Sequence, residues 1–134
     1  MMRILLSIIL LCIGVEAANE AHRVESLPGN KPFRSAWYSG FYNVSSHRHL
    51  HYFFVESLSK PETDPVIVFI NGGPGASATM NALLGQGPVF SDGGSTFQDY
   101  DHSWCKNASV IFLDSPAGTG YSYAGTERDM THSD

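Results

Sequence analysis

Cysteine and positive charge are both scarce in this sequence. Only two of its 134 residues are cysteines, and its 8 Lys and Arg are outnumbered by 13 Asp and Glu, for a net charge of −5. No basic cluster is present that could neutralise a phosphate backbone, which argues against nucleic-acid binding. No run of like charges indicates a charged tail.

Long hydrophobic runs are absent as well. The most apolar stretch, Ile4 to Val15, would span about 18 Å as a helix, whereas the hydrocarbon core of a membrane is about 30 Å thick. Arg3 precedes this stretch, and Val15-Glu16-Ala17 offers small residues at the cleavage positions. The pattern therefore predicts a secretory signal peptide over residues 1–17, with the mature chain beginning at Ala18 or Asn19.

Cleavage of that segment would remove Cys12 and leave Cys105 without a partner in the chain. An unpaired cysteine packs as a small hydrophobe, so we expect Cys105 to be buried. A disulfide to a residue outside this chain, or between two chains, is the alternative.

A buried strand followed by a glycine-rich loop is the most informative pattern present. Val66 to Ile70 is a continuous β-branched and aromatic run, which predicts a strand covered on both faces of a largely parallel sheet. Asn71-Gly72-Gly73-Pro74-Gly75 follows. Glycine permits positive φ and close approach of the backbone, so the N–H groups of such a loop can converge on a negative oxygen. The sequence has the form of an oxyanion loop, and a turn without chemistry is the alternative.

The surrounding pattern predicts an α/β fold built on a mixed sheet with an antiparallel edge hairpin. The predicted secondary-structure elements are the hairpin strands Trp37 to Val44 and His49 to Ser57, a helix from Ser77 to Leu84 capped by Ser77, a loop over residues 91–101, and a second buried strand from Val110 to Leu113. A second loop, residues 114–120, follows that last strand. Because ligands bind at the carboxyl ends of strands in open α/β sheets, both loops should border one crevice.

Several separated motifs, in order over about residues 33 to 124, resemble the N-terminal part of the serine carboxypeptidases. They are Trp37-Tyr38-Ser39-Gly40-Phe41, His49 to Ser57, Asp64-Pro65, Asn71 to Gly75, Gly87-Pro88, Ser103-Trp104 and Asp114 to Tyr123. The resemblance implies an α/β-hydrolase fold, entry into the secretory pathway, and release of C-terminal amino acids by a Ser-Asp-His triad.

A complete enzyme of that family is several times longer, and its nucleophile elbow, catalytic Asp and catalytic His come after the part that is present here. We therefore expect residues 18–134 to be an N-terminal fragment of the domain, with the oxyanion loop but without the triad. With a single short helix to cover its apolar strands, this fragment should be inactive and poorly folded by itself.

The resemblance assigns roles to three loop residues: Gly73 as the backbone oxyanion donor, and Asn71 and Gly72 as ligands of the substrate's terminal carboxylate. No cofactor or metal is implied, and the expected partners are peptide or protein C-termini. The family usually has Trp, Cys and Glu at positions that are occupied here by Phe69, Ala76 and Gly85. In the family the Cys forms a disulfide to a later segment, and the Glu shares a proton with the substrate carboxylate.

Two serines and three histidines invite catalytic or metal-binding roles that we consider weaker than structural ones. Ser122 lies in a segment similar to the family's Gly-Glu-Ser-Tyr-Ala-Gly nucleophile motif, but an elbow needs a strand before it and a helix after it. Ser77 fits a helix cap better than a nucleophile. His47, His49 and His51 share one strand face, and without a nearby carboxylate or cysteine they are predicted to be solvent-facing rather than zinc ligands.

Two further functions stay open: an acyltransferase on the same fold, and a truncated secreted module that only binds other proteins. The sequons at Asn43 and Asn107 predict glycosylation in a secreted chain. The expected location is the secretory pathway, ending in a lysosome or vacuole or outside the cell.

Overall fold

A computed structural model of the chain describes residues 20–29, 32–91, 93 and 96–130. The signal peptide predicted over residues 1–17 lies outside these ranges and stays a prediction. Within them, no helix has the length and apolar character needed to cross a membrane.

The described elements follow one another as short strands with two short helices. In chain order they are β1 (Trp37–Asn43), β2 (Arg48–Val55), β3 (Val66–Ile70), α1 (Ala78–Leu83), β4 (Val89–Phe90), β5 (Gln98–Asp99), a 3₁₀ turn (Trp104–Lys106), β6 (Ser109–Leu113), β7 (Tyr123–Ala124) and α2 (Glu127–Met130). The predicted hairpin, helix and two apolar strands are all present within two residues of their expected bounds. The sequence analysis missed β4, β5, β7 and α2, because two to four residues are too few to show a periodic pattern. The stretch 91–101, expected to be a loop, contains β5.

The main sheet has the strand order β1-β2-β6-β3, with β7 pairing with the beginning of β2. The β1–β2 and β2–β6 pairs are antiparallel, and the β6–β3 pair is parallel. The predicted mixed sheet with an antiparallel edge hairpin is therefore confirmed. The lead-in segment covers the outer edge of β1, since Val24 N–H donates to the Trp37 carbonyl and Ser39 N–H donates to the His22 carbonyl, both at 2.8 Å.

The hydrophobic core lies on the face of the sheet that carries α1. Its buried members are Trp37, Phe53, Val55, Ala78, Ala82, Val89, Cys105, Val110 and Phe112. Trp37 stacks on Phe33 at a centroid distance of 4.4 Å and meets Phe53 edge-on at 5.2 Å. The two alanines let α1 lie close to the sheet, because their side chains are small.

The opposite face of β3 differs from the prediction. Ile67 and Phe69 pack against the core, whereas Val66, Val68 and Ile70 are each more than half exposed. The prediction that both faces of β3 are covered is therefore wrong. Among the described residues, α1 and its flanking loops cover one face, and successive side chains of a strand point to opposite faces. The prediction holds better for β6, in which Ser109, Val110 and Phe112 are buried.

The parallel β3–β6 pair determines where the two loops begin. Ile70 is in register with Leu113, so the glycine loop that starts at Asn71 and the second loop that starts at Asp114 leave the sheet side by side. The two loops therefore begin next to each other, as expected, because β3 and β6 pair in this register.

We expect the exposed face of β3 to drive aggregation of residues 18–134. Val68→Lys places a charge on that face, so it should slow aggregation severalfold, as followed by light scattering, and leave the circular dichroism spectrum unchanged. Ile67→Lys is the matched variant on the core face of the same strand. It places an unpaired charge on the packed face of the strand, so it should disrupt the β-structure that the fragment retains and lower its circular dichroism signal. If Val68→Lys lowers the circular dichroism signal as much as Ile67→Lys does, the assignment of the two faces is wrong.

Candidate functional site

The glycine loop is exposed and has an unusual backbone. Gly73 has φ +120° and Gly75 has φ +101°, conformations that side chains of L-residues rarely adopt. A Cβ at Gly73 would approach no other atom closer than 3.7 Å, in Ala76. Glycine is therefore required at this position by the backbone conformation and not by crowding.

Hydrogen bonding divides the three predicted loop residues into two groups. The Asn71 amide donates to Asn81 Oδ1 at 2.8 Å and to the Ser77 carbonyl at 3.3 Å, and its oxygen accepts from Gly72 N–H at 2.9 Å. For Gly73 N–H, no acceptor is found among the residues that the structure describes. Of the Asn71 side-chain amide and the N–H groups of Gly72 and Gly73, only the Gly73 N–H thus has no acceptor in the described part of the chain.

A buried carboxylate lies beside this loop. Asp114 is fully buried at the end of β6, and its two oxygens accept hydrogen bonds from five groups. These are Ser77 Oγ at 2.8 Å, Thr79 N–H at 3.0 Å, Thr79 Oγ1 at 3.1 Å, Tyr121 N–H at 3.2 Å and His51 Nδ1 at 3.3 Å. One side chain therefore joins β2, β6, the start of α1 and the second loop, which in the structure extends to Ser122 because β7 begins at Tyr123.

Two opposing effects act on the pKa of Asp114. Burial raises it, because the charged form loses water, whereas hydrogen bonds from His51, Thr79, Ser77 and Tyr121 lower it. The hydrogen bonds prevail, and the pKa of Asp114 lies well below the usual range of a carboxyl group. An ionised carboxylate can only accept, so the proton shared with His51 belongs on Nδ1 of the imidazole.

The predicted solvent exposure of the three histidines was wrong for His51. It is buried, and its Nε2 lies 2.8 Å from Ser39 Oγ while Nδ1 faces Asp114. A hydrogen-bonding partner on each side makes burial of the ring favourable. His47 is exposed as expected, and His49 is half-buried, stacked on Tyr123 at 4.6 Å. In the described ranges, no three His, Cys, Asp or Glu side chains are placed to hold a metal ion.

Both serines have structural partners. Ser77 is the N-cap of α1 and accepts from Met80 N–H, which confirms its predicted capping role. Ser122 is buried, its hydroxyl donates to the Asp114 carbonyl at 2.5 Å, and it accepts from His51 N–H at 2.7 Å. Both contacts hold the hydroxyl inside the protein, and the expectation that Ser122 is not a nucleophile stays a prediction.

A cleft of about 780 Å³ opens next to the carboxylate cluster. Its walls include His51, Thr79, Phe41, Tyr121 and Tyr123, but no residue of the glycine loop. The prediction that both loops border one crevice is therefore wrong for this cleft: neither residues 71–75 nor residues 114–120 line it, and only Tyr121, directly after the second loop, reaches it. The glycine loop lies on the open surface beside it.

Three residues differ from the family pattern, namely Phe69, Ala76 and Gly85, and the structure describes the surroundings of each. Phe69 meets Trp104 edge-on at a ring-centroid distance of 5.5 Å and Phe112 in a tilted contact at 5.7 Å. Ala76 is exposed in the glycine loop. Gly85 has φ +130° and open space around it, so a glutamate there would be strained by the backbone and not by its neighbours.

The two predicted glycosylation sites lie at the surface, and Cys105 lies in the core. Asn43, at the end of β1, and Asn107, after the 3₁₀ turn, are both exposed, as glycosylation requires. Cys105 is buried as expected, and burial, partly offset by a hydrogen bond from Ser103, raises the pKa of its thiol to about 11. The thiol is therefore protonated at neutral pH.

The sequence analysis missed the cluster around Asp114. An acidic residue directly after a buried strand is the signal that could have identified it, because a carboxylate there must find partners inside the protein. Its partner His51 gave no comparable signal, since strand alternation alone does not separate a buried imidazole from an exposed one.

Comparisons with known proteins agree on one family. The family model for serine carboxypeptidases matches residues 28–134. The Lysosomal protective protein of Mus musculus is 36% identical over 121 residues, which cover 87% of this chain and 25% of that protein. Serine carboxypeptidase-like 34 of Arabidopsis thaliana is 40% identical over 121 residues, with coverage of 87% and 24%. The chain thus spans about a quarter of the length of these curated relatives.

A solved structure supports the fold. The prohormone-processing carboxypeptidase Kex1(delta)p from Saccharomyces cerevisiae matches with a TM-score of 0.66 and 22% identity, over 78% of this chain and 26% of that one. The predicted fold class, the N-terminal portion of an α/β-hydrolase fold, is confirmed.

We expect the contribution of Asp114 to stability to depend on pH in one direction. Because its folded pKa is lowered, the contribution is complete above the unfolded value of about 3.9 and is lost as the pH falls through the folded pKa. Asp114→Asn should therefore lower the unfolding free energy by about 3 kcal/mol at pH 7 and at pH 5, and by less below about pH 4. Denaturant titrations of the full natural protein at these pH values measure the difference. A difference that grows on acidification would contradict the assignment.

Proposed function

The chain belongs to the serine carboxypeptidase family, and we propose that it supplies the oxyanion- and carboxylate-binding loop of an enzyme that releases C-terminal amino acids from peptides. In this proposal the Ser-Asp-His triad comes from sequence outside these 134 residues. The observation that carries the proposal is the glycine loop itself. It is exposed at the carboxyl end of β3, and the Gly73 N–H has no acceptor among the described residues.

Gly73 has the role of oxyanion donor. When a serine attacks the scissile carbonyl, negative charge develops on the carbonyl oxygen, and a fixed N–H donor stabilises that charge. A donor that already has an internal acceptor would first have to give it up. Gly73 N–H carries no such cost with respect to the described residues, which supports the assignment.

Asn71 and Gly72 have the role of binding the terminal carboxylate of the substrate. Neutral N–H donors hold a carboxylate through charge-assisted hydrogen bonds without a fixed countercharge. In the structure the Asn71 amide already donates to Asn81 and to the Ser77 carbonyl. In this proposal the substrate carboxylate replaces one of these acceptors and also the Asn71 oxygen that accepts from Gly72 N–H. Gly85 cannot share a proton with the carboxylate as the family's Glu does.

The proposed location is the secretory pathway, ending in an acidic compartment or outside the cell. It is supported by the signal-peptide pattern over residues 1–17 and by the relative named Lysosomal protective protein. Exposure of Asn43 and Asn107 supports glycosylation of both sequons. N-terminal residues that are removed on secretion would have no part in the catalytic chemistry.

Gly73→Ala in the full natural protein tests the central assignment. The new methyl group strains the loop at φ +120° and displaces the donor, so kcat for a blocked dipeptide should fall on the order of 10²-fold. Gly93→Ala is the matched control, because Gly93 also has positive φ and open surroundings but lies in the loop between β4 and β5. It should carry similar backbone strain and leave kcat unchanged. If the two variants have the same kcat, Gly73 has no part in the reaction.

A further inference from the structure

Most of the donors to Asp114 come from the residues that follow the glycine loop. Three of its five hydrogen bonds involve Ser77 Oγ, Thr79 N–H and Thr79 Oγ1. Ser77 caps α1 and Thr79 lies in its first turn, and only Ala76 separates Ser77 from Gly75. The carboxylate of the neighbouring strand thus holds the end of the loop.

The loop has a second anchor at its beginning. Asn71 leaves β3, and its amide donates to Asn81 and to the Ser77 carbonyl, both on the α1 side. Between these two anchors, residues 72–76 are exposed. The geometry of this exposed part therefore depends on the position of the first turn of α1, which Asp114 sets.

The carboxylate has no spare room around it. A Cβ at Gly120 would overlap Asp114 Oδ2 and come close to Ser77 Oγ, and Gly120 has φ +54°. Asp114 itself is fully buried. Because water cannot enter to replace a lost donor, removal of one hydrogen bond should be relieved by movement of the elements that carry the donors.

We propose that Asp114 is a positioning residue for the glycine loop, acting through Ser77 and Thr79. Its carboxylate fixes the first turn of α1 and thereby the direction of the Gly73 N–H. The link to catalysis rests on the proposed function of that loop. The link from Asp114 to the order of the loop does not, and it can be measured separately.

Thr79→Val is the principal variant in the full natural protein. It removes one hydroxyl donor from Asp114, keeps the volume of the side chain, and leaves the Thr79 backbone N–H and the Ser77 cap in place. Thr79→Ser restores the hydroxyl, and Asp114→Asn removes the charge. Ser57→Ala is the matched control, because Ser57 is a buried serine whose hydroxyl donates to the Asp64 carboxylate at the opposite end of the sheet.

Deuterium uptake by mass spectrometry over residues 71–83, together with steady-state kinetics on a blocked dipeptide, provides the readouts. Thr79→Val and Asp114→Asn should increase uptake in this segment and lower kcat by about tenfold, as expected for a displaced catalytic donor. Thr79→Ser should resemble the wild type. Ser57→Ala should change uptake only near its own position, with kcat unchanged.

Unchanged uptake over residues 71–83 in Thr79→Val would overturn the positioning role, and so would an equal increase in Ser57→Ala. If Asp114→Asn does not fold, Thr79→Val decides by the same criteria. A wild-type protein that does not hydrolyse the dipeptide would refute the proposed function, and the uptake comparison would still decide whether Asp114 orders the loop.

Discussion

The Asp114 carboxylate has no access to water, so the protein itself must stabilise its negative charge. It does so with backbone and side-chain donors drawn from β2, the start of α1 and the second loop. Each donor is held in place by the acceptor, and removing any of them leaves the buried charge less well stabilised. The relative positions of these elements are therefore tied to one ionised group.

That constraint explains why two loops from different strands form one structural unit. The parallel register of β3 and β6 brings their ends together, but register alone does not fix the loops that follow. The hydrogen bonds of Asp114 do so, because they join Ser77 and Thr79 on one side to Tyr121 on the other. The low pKa of Asp114 keeps the group ionised in mildly acidic surroundings, so this arrangement would persist in an acidic compartment.

The sequence was sufficient to predict the elements whose pattern is local. Neighbouring residues determine three such features: the strands β3 and β6 formed by apolar runs, the cap at Ser77, and the glycine loop after Ile70. Each of them is present in the structure. It was not sufficient to predict burial that depends on distant partners. His51 is 63 positions from Asp114, and the exposed side of Val66, Val68 and Ile70 depends on which elements lie over the sheet. Such features arise from packing between elements, which a linear pattern does not encode.

The crystal structure of the full natural protein with a bound blocked dipeptide is the most direct test of the proposed site. The account predicts that the terminal carboxylate contacts Asn71 and Gly72, and that the position taken by the oxyanion when the scissile carbonyl is attacked lies about 2.7–3.1 Å from the Gly73 nitrogen. A dipeptide bound instead in the aromatic cleft beside Tyr121 and Phe41, with no contact to the glycine loop, would contradict it.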